Sequence, residues 1–568
     1  MNRRSFLTAA AAGAITPAFA GFDAFAQAAA GLPYDALAAI RTEGMGERTS
    51  QVMKTASYLM DVLGPRLSGS PGLRKSGEWV VSKMKEWGFT GAGLEMWPND
   101  PTGQNNGFPR GWANSKFYLA AVSPLTFPIS GMSTGWTPGT NGLVRGECVL
   151  VIETTEKDLK EKWAGKLRGK WVLGQAPIEM RAQWDAVARR YTKEQLDGME
   201  TPARPPEQGT PNPNGPPRPP VAPAAGANQP PFDRNKFFKD EGALGVFSTN
   251  KGFGVINVLG GSRTDAPEAQ IPRIVIEAEH YGRIARSTQL GQPVVVEADI
   301  KNDWFDKPEM FNVVGEVKGS QWPDEVVIIG GHFDSFHAAT GAADNGGACC
   351  IALEALRILK ATGVKPKRTV RVCLWTGEEQ GLIGSRLYVT EHFGGNRRPA
   401  PPGSRPGTQG EPVPVKRDHS RFQSYFNLDN GVGSIRGIYA QGNSAIIPIF
   451  REWGEPLRDL GFTHVTPRNT GSTDHVSFDN AGLPGFQFIQ DQLQYEPTNH
   501  HTNMDFFEAI QPEDMKRNAV ILASFAMLAA NHPTKLPRKP RTTEPPRPAG
   551  PPDIAALPGA APRPGAVF

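Results

Sequence analysis

The chain predicts an α/β fold: a mostly parallel sheet with helices on both faces, carrying an inserted β-rich domain. Three observations lead there. From Asn312 onward, β-rich runs alternate with apolar helical stretches, a pattern that lays parallel strands beneath crossover helices. From about Phe127 to Ile300 the character changes to short β-rich runs. Five short stretches of the second half place an acid or an imidazole beside small residues, four of them at or next to predicted strand ends, where open α/β sheets bind ligands.

Taken in order, the first 26 residues read as an export signal of the twin-arginine type. Arg3-Arg4 precede an Ala-rich apolar stretch that is short and holds Gly13 and Pro17, with small-residue cleavage sites ending at Ala20 or Ala26. A periplasmic or secreted location follows, without a transmembrane anchor after signal removal, because no later apolar run is long enough to span a bilayer. Residues 27–126 form the first part of the main domain. Within them, Leu73 to Trp87 reads as a helix with Trp79, Val80, Met84 and Trp87 near one face, suited to packing on a sheet.

The β-rich insert is expected over 127–300, on runs such as Cys148 to Ile152, Lys170 to Leu173, Gly245 to Phe247 and Pro293 to Glu297. Inside it, 201–231 is dense in Pro, Gly, Ala and Asn and is expected to be a mobile loop, as are 397–414 and a disordered tail over 533–568. The main domain resumes over 301–532 with strand Glu325 to Ile329, helix Gly346 to Lys360, strand Thr369 to Trp375, a helix from Leu382 and strand Gln423 to Leu428. At 568 residues the chain is too long for one core. Its net charge of +4, with Lys and Arg scattered, gives no footprint for nucleic acid. The four Cys lack metal-ligand spacing, and they read as buried free thiols.

The five stretches are GGHFDS (Gly330 to Ser335), GAADNGG (Gly341 to Gly347), TGEEQGLIGS (Thr376 to Ser385), NLDN (Asn427 to Asn430) and NHHTNMD (Asn499 to Asp505). Singly each has a bland reading: a hydrogen-bonded structural His, an Asx turn, a solvated Glu pair, a helix cap. Together they supply two His and three carboxylates for metal plus one spare Glu, the inventory of a two-metal hydrolase.

These motifs resemble the M28 metallopeptidases, a di-zinc aminopeptidase clan. Arg66-Leu67-Ser68-Gly69-Ser70-Pro71-Gly72 and the GGHFDSFH run bring the chain nearest to the carboxypeptidase Q group, also called plasma glutamate carboxypeptidase-like. The likeness runs from about Leu63 to Phe507 and implies the zinc exopeptidase fold, with the β-rich insert resembling a protease-associated domain. It implies two zinc ions: His332, Asp344 and Asp429 would hold one, Asp344, Glu379 and His501 the other, with Asp344 as bridge. Glu378 is then implied as general base. Asp334 would fix the His332 tautomer, and Asp505 is either a similar partner or an N-cap for the helix that follows.

Many relatives carry Tyr where this chain has His500, which is expected either to donate a hydrogen bond to an oxyanion or to be a spare stacked His. Asp474 and His475 are candidates for substrate contact or for support behind the site, and His337 is expected at the rim. The reading that follows is a zinc exopeptidase acting on peptides or dipeptides, first as an aminopeptidase, with a carboxypeptidase or dipeptidase of the carboxypeptidase Q type as alternative. A receptor-like homologue without chemistry is disfavoured because every ligand position and Glu378 are present. A single-zinc acyl-transfer enzyme of the glutaminyl cyclase kind is disfavoured by the full ligand set and the insert.

Overall fold

The computed structural model describes residues 33–98, 108–201, 232–397 and 410–539. The export signal and most of 201–231 lie outside them.

The first sheet has eight strands. Its centre is formed by Arg368–Trp375, Trp322–His332, Phe422–Asn427 and Gly485–Gln490, which run parallel to one another in that order. Thr90–Met96 and Phe311–Val317 extend one side and Ile435–Tyr439 and His464–Thr466 the other, with antiparallel pairings where each flank joins the centre. Strand residues alternate between two cores, as a period of two requires. Val327, Ile329, Val370, Val372 and Phe426 face the helices Gly347–Ala361 and Pro512–Asn531. Val326, Ile328, Cys373, Trp375 and Tyr425 face the helices Ile383–His392 and His475–Asp479. Helices thus cover both faces, and all four Cys are buried and unpaired.

The central strands end together, with His332 opposite Trp375 and Gly330 opposite Asn427. Gly330 is required there, because a Cβ would meet the Cys373 carbonyl oxygen at 1.8 Å. The early helix spans Pro71–Glu86, where Ser70 accepts the Leu73 N–H as N-cap and Pro71 opens the first turn. It buries Leu73, Gly77, Val80 and Met84, while Trp79 is left to stack on Tyr58 with ring centroids 4.7 Å apart.

The second sheet also has eight strands. It is wider than the sequence suggests, running from Arg110 to Asp306 rather than 127–300. Arg110–Ser123 pairs antiparallel with Val295–Asp306 along nearly its whole length. Residues Arg110 to Ser115 hold too little apolar alternation to announce a strand. The excursion leaves and returns at adjacent strand ends of the first sheet, where Met96 lies opposite Phe311 and Trp97 N–H donates to the Met310 carbonyl at 2.9 Å.

One other expectation is corrected, over the described residues alone. Of the tail expected to be disordered over 533–568, residues 533–539 pack on the main domain, where Leu536 is buried, Arg538 donates to the carbonyls of His419 and Phe422, and Lys539 pairs with Asp479; residues 540–568 lie outside the described residues. Residues 398–409 of the loop expected over 397–414 lie outside the described residues; at its edges Gly395 N–H donates to the Val413 carbonyl and Val413 N–H to that of Asn396. Composition favours disorder, but one buried Leu and a few satisfied backbone groups suffice to fix such short ends.

Candidate metal centre

All five acidic and imidazole stretches converge at the carboxyl edge of the first sheet. His332 is the last residue of its strand, Glu378 and Glu379 follow Trp375 in the next turn, and Asp429 stands two residues beyond Asn427. Asp344 comes from the bent turn that feeds helix Gly347–Ala361, and its peptide bond to Asn345 is cis. His501 arrives from a loop after Gly485–Gln490, with φ +58°.

The two oxygens of Asp344 face different partners. Oδ1 lies 3.1 Å from His332 Nε2, which is also 3.3 Å from Asp429 Oδ1. Oδ2 lies 3.2 Å from His501 Nε2, which is also 2.9 Å from Glu379 Oε2. His332 Nδ1 is 2.9 Å from the Asp334 carbonyl, which can only accept, so the proton of the neutral ring is on Nδ1. In a neutral ring the Nε2 lone pair would point at carboxylate oxygens, so a positive charge, either a proton or a cation, belongs between them.

The electrostatics agree. Burial pulls the His332 imidazolium down, yet Asp429, Glu378 and Asp344 outweigh it and hold the ring's pKa well above its ordinary value. Burial, and then the crowd of acids around them, pushes Glu378 and Glu379 well above the carboxylate range. Burial also opposes ionisation of Asp344, but His332 and His501 reverse the sign and keep it low. Asp344 Oδ2 and Glu379 Oε1 are buried without hydrogen-bond partners. A site of this kind fits a cation, which supplies the missing charge and the missing partner together. Three groups among the described residues bring ligand atoms close enough for an ion: His332, Asp344 and Asp429; Asp344, His500 and His501; His332, Glu378 and Glu379.

The surrounding residues hold this cluster in place. Asp505 accepts the N–H groups of Ala343 at 2.6 Å and Asp344 at 3.0 Å, and it caps no helix; its carboxyl is pushed up to about 7 by burial and by Asp344. The Asp334 carboxylate does not set the His332 tautomer, a task that falls to its own carbonyl. Its side chain lies 3.8 Å from Nδ1 and is occupied with Ser68 Oγ at 2.9 Å and the Glu378 N–H at 3.2 Å.

His500 is partly exposed, its ring stacked on Tyr495, with Nδ1 3.6 Å from Glu496 and Nε2 3.9 Å from Asp344. Asp474 and His475 are both buried. Burial pushes Asp474 up to about 8 and His475 down to about 4, and the His475 ring is taken by the Thr470 carbonyl. His337 lies away from the cluster, bonded to the Ser133 carbonyl at 2.7 Å and set edge-on to Trp112.

Sequence reasoning gave no role to Arg66, although its motif was conspicuous. The side chain is fully buried, and it donates to the carbonyls of Phe333 at 2.7 Å, Thr340 at 2.8 Å and Gly341 at 2.7 Å, tying together the turns that carry His332 and Asp344. Nor was the grip of the second sheet's loop foreseeable. Val258 N–H donates to the His501 carbonyl at 2.9 Å, Asn257 Nδ2 to that of His500, and Asn503 exchanges bonds with Ile256 and Gly254. Gly254 and Asn257 within GFGVIN are only turn residues by composition.

Residues 312–526 match the profile of Peptidase family M28. Carboxypeptidase Q of Mus musculus is 25% identical over 493 residues, 87% of this chain and 88% of its own length. Aminopeptidase YwaD of Bacillus subtilis (strain 168) is 26% identical over 259 residues, 43% of this chain and 50% of its own. A crystallised Peptidase M28 precursor from Shewanella amazonensis SB2B has a similar fold, with a TM-score of 0.59 at 21% identity over 89% of this chain and 99% of that one. The central strands of the first sheet and its whole edge cluster thus fall in the segment that is similar to peptidase family M28.

Proposed function

We propose that the protein is a zinc-dependent exopeptidase that hydrolyses a terminal bond of peptides or dipeptides, first as an aminopeptidase. The observation that carries this reading is the division of Asp344, with one oxygen turned to the His332–Asp429 pair and the other to the His501–Glu379 pair. A carboxylate so placed is suited to bridging, with three protein ligands on each side. When bound, two zinc ions would supply Lewis acidity toward the scissile carbonyl and a water acidified near neutral pH.

The protein's own groups do the rest. Glu378, which follows the strand beside that of His332 and precedes Glu379, takes the proton of the attacking water and delivers it to the leaving nitrogen. His500 donates to the carbonyl oxygen as charge develops there, with Glu496 and Tyr495 holding the ring. Asp334 and Asp505 fix the backbone beside Glu378 and Asp344. The near full-length match to Carboxypeptidase Q supports a second reading, a carboxypeptidase or dipeptidase. We further assign the second sheet as a protease-associated domain and the location as periplasmic or secreted; among the described residues, no helix is long and apolar enough to cross a membrane.

The test is Glu378→Gln. It should retain the wild-type zinc content and lose about 10²-fold or more in kcat on aminoacyl anilides and dipeptides. Activity within a few-fold of wild type would remove Glu378 from this role.

A further inference from the structure

Strand Gly485–Gln490 passes directly into the loop that carries His500 and His501, and the start of that loop is gripped by a segment far away in sequence. Between strands Trp171–Leu173 and Gly245–Ser248, the second-sheet domain sends out an arm that reaches the first sheet. Arg189 N–H donates to the Leu493 carbonyl at 2.9 Å, and Leu493 N–H to the Arg189 carbonyl at 2.8 Å, a single antiparallel rung. The next two residues lock it. Arg190 places Nη1 3.0 Å from Asp491 Oδ2 and Nη2 2.8 Å from Asp514 Oδ2, and Tyr191 N–H donates to Asp491 Oδ1 at 2.9 Å.

The two carboxylates come from different elements. Asp491 follows the last residue of its strand, and Asp514 lies in the first turn of helix Pro512–Asn531. Their side chains are 1% and 3% exposed, whereas that of Arg190 is half-buried. A buried carboxylate is costly unless a cation or donors meet it, and a planar guanidinium fork can serve two acceptors in one fixed geometry where an ammonium cannot. Asp491 also receives Arg436 Nη1 at 3.2 Å, and Asp514 accepts Ser434 Oγ; Arg190 joins the two acids to each other.

The rest of the arm lies against the same region. Helix Lys193–Glu200 rests on strand His464–Thr466, with Asp197 3.1 Å from His464 Nε2 and Glu200 accepting the Val465 N–H. Met180 and Val187, earlier in the arm, line one cavity with Thr498 and Met504, which stand on either side of the two His.

His332 ends a central strand and Asp429 stands just beyond another, so the sheet itself places them. His501 has only its loop. The far end of that loop is tied to 254–258 through Asn503, and the clasp ties its start. We propose that Arg190 is a positioning residue for His501: by clasping Asp491 to Asp514 it fixes where the loop leaves the sheet, and so holds one of the two metal positions and not the other. The assignment rests on the two-zinc reading above.

The experiment follows release of zinc from the zinc-loaded protein into a coloured chelator, for wild type, Arg190→Met, Arg190→Lys and Asp197→Ala/Glu200→Ala. Arg190→Met should release one zinc about tenfold faster or more and the other at the wild-type rate, the range expected when a group supporting a metal ligand is lost. Arg190→Lys, which keeps the charge but not the fork, should fall between, and it decides the matter should Arg190→Met fold poorly. Asp197→Ala/Glu200→Ala loosens the same arm at its far end and should release both ions as wild type does. With excess zinc, Arg190→Met should regain most of its kcat on Leu-Ala.

Wild-type release by both Arg190 variants overturns the assignment. So does acceleration of both ions together, or equal acceleration in Asp197→Ala/Glu200→Ala, either of which marks a general loss of stability. Release is read without substrate, so it decides Arg190 even if wild type cleaves no dipeptide, a result that would sink the exopeptidase reading alone.

Discussion

Arg66 and His475 are both fully buried, and each meets burial in its own way. Arg66 keeps its charge, although burial lowers its pKa, by donating to backbone carbonyls at the turns of the edge cluster. His475 gives its charge up: burial holds its pKa down at about 4 while Nε2–H donates to the Thr470 carbonyl. In the unfolded chain an imidazole titrates near 6.5. Below that pH the unfolded state binds a proton that the folded state refuses, so this stabilisation is complete above pH 6.5 and is lost as pH falls toward 4. Between pH 7 and 5 the cost is about 2 kcal/mol, at about 1.4 kcal/mol per pH unit. His475→Gln should lose less stability than wild type over that interval, which urea unfolding midpoints at the two pH values will read. Equal losses would mean that His475 is charged in the folded protein.

At the scale of elements, the loop from Tyr495 to Asp505 is held on both sides. Its inner side offers His501 to Asp344 and Glu379, and its outer side pairs with 254–258 of the second-sheet domain. Asn503 is the hinge of that pairing, since its Oδ1 accepts the Ile256 N–H at 2.7 Å and its Nδ2 donates to the Gly254 carbonyl at 3.0 Å. Asn503→Ala deletes both bonds and orphans an N–H, a loss of about 2–3 kcal/mol. The variant should melt earlier and release zinc to a chelator faster than wild type. Asn503→Asp, which keeps the acceptor, should fall between them. Melting and release rates equal to wild type would show the pairing to be passive. The central strands and their helices were legible because β-branched runs and helical patterns are local. This pairing was not, because Asn257 and Asn503 lie far apart in sequence and neither carries a pattern.

For the whole molecule, the edge cluster gathers five carboxyl groups, those of Asp334, Asp344, Glu378, Glu379 and Asp429, around the imidazoles of His332 and His501. A cation bound there stabilises the native state by RT ln(1 + [L]/Kd), about 4 kcal/mol at a thousand times Kd. Chelation should therefore lower Tm, and zinc should restore it. A Tm indifferent to both would exclude the cluster as a metal site.

The composition of the site could be read from five motifs because each ligand type is chemically distinctive. What could not be read was support by groups that look ordinary: a carbonyl at Asp334 in place of its carboxylate, Arg66 in a Gly-Ser turn, and Arg110 to Ser115 joining the second sheet without an apolar signal. The stretch 533–539 was misjudged because composition averages over residues, while the Leu536 side chain and Arg538 decide where that stretch lies.

The bond between Val258 N–H and the His501 carbonyl has a thermodynamic corollary. Whatever a cation does to the position of His501 is transmitted to the neighbouring domain, and by reciprocity whatever displaces that domain is felt as a change in cation affinity. A truncated peptidase lacking residues 110–306 would be a weaker metal chelator as well as a smaller enzyme.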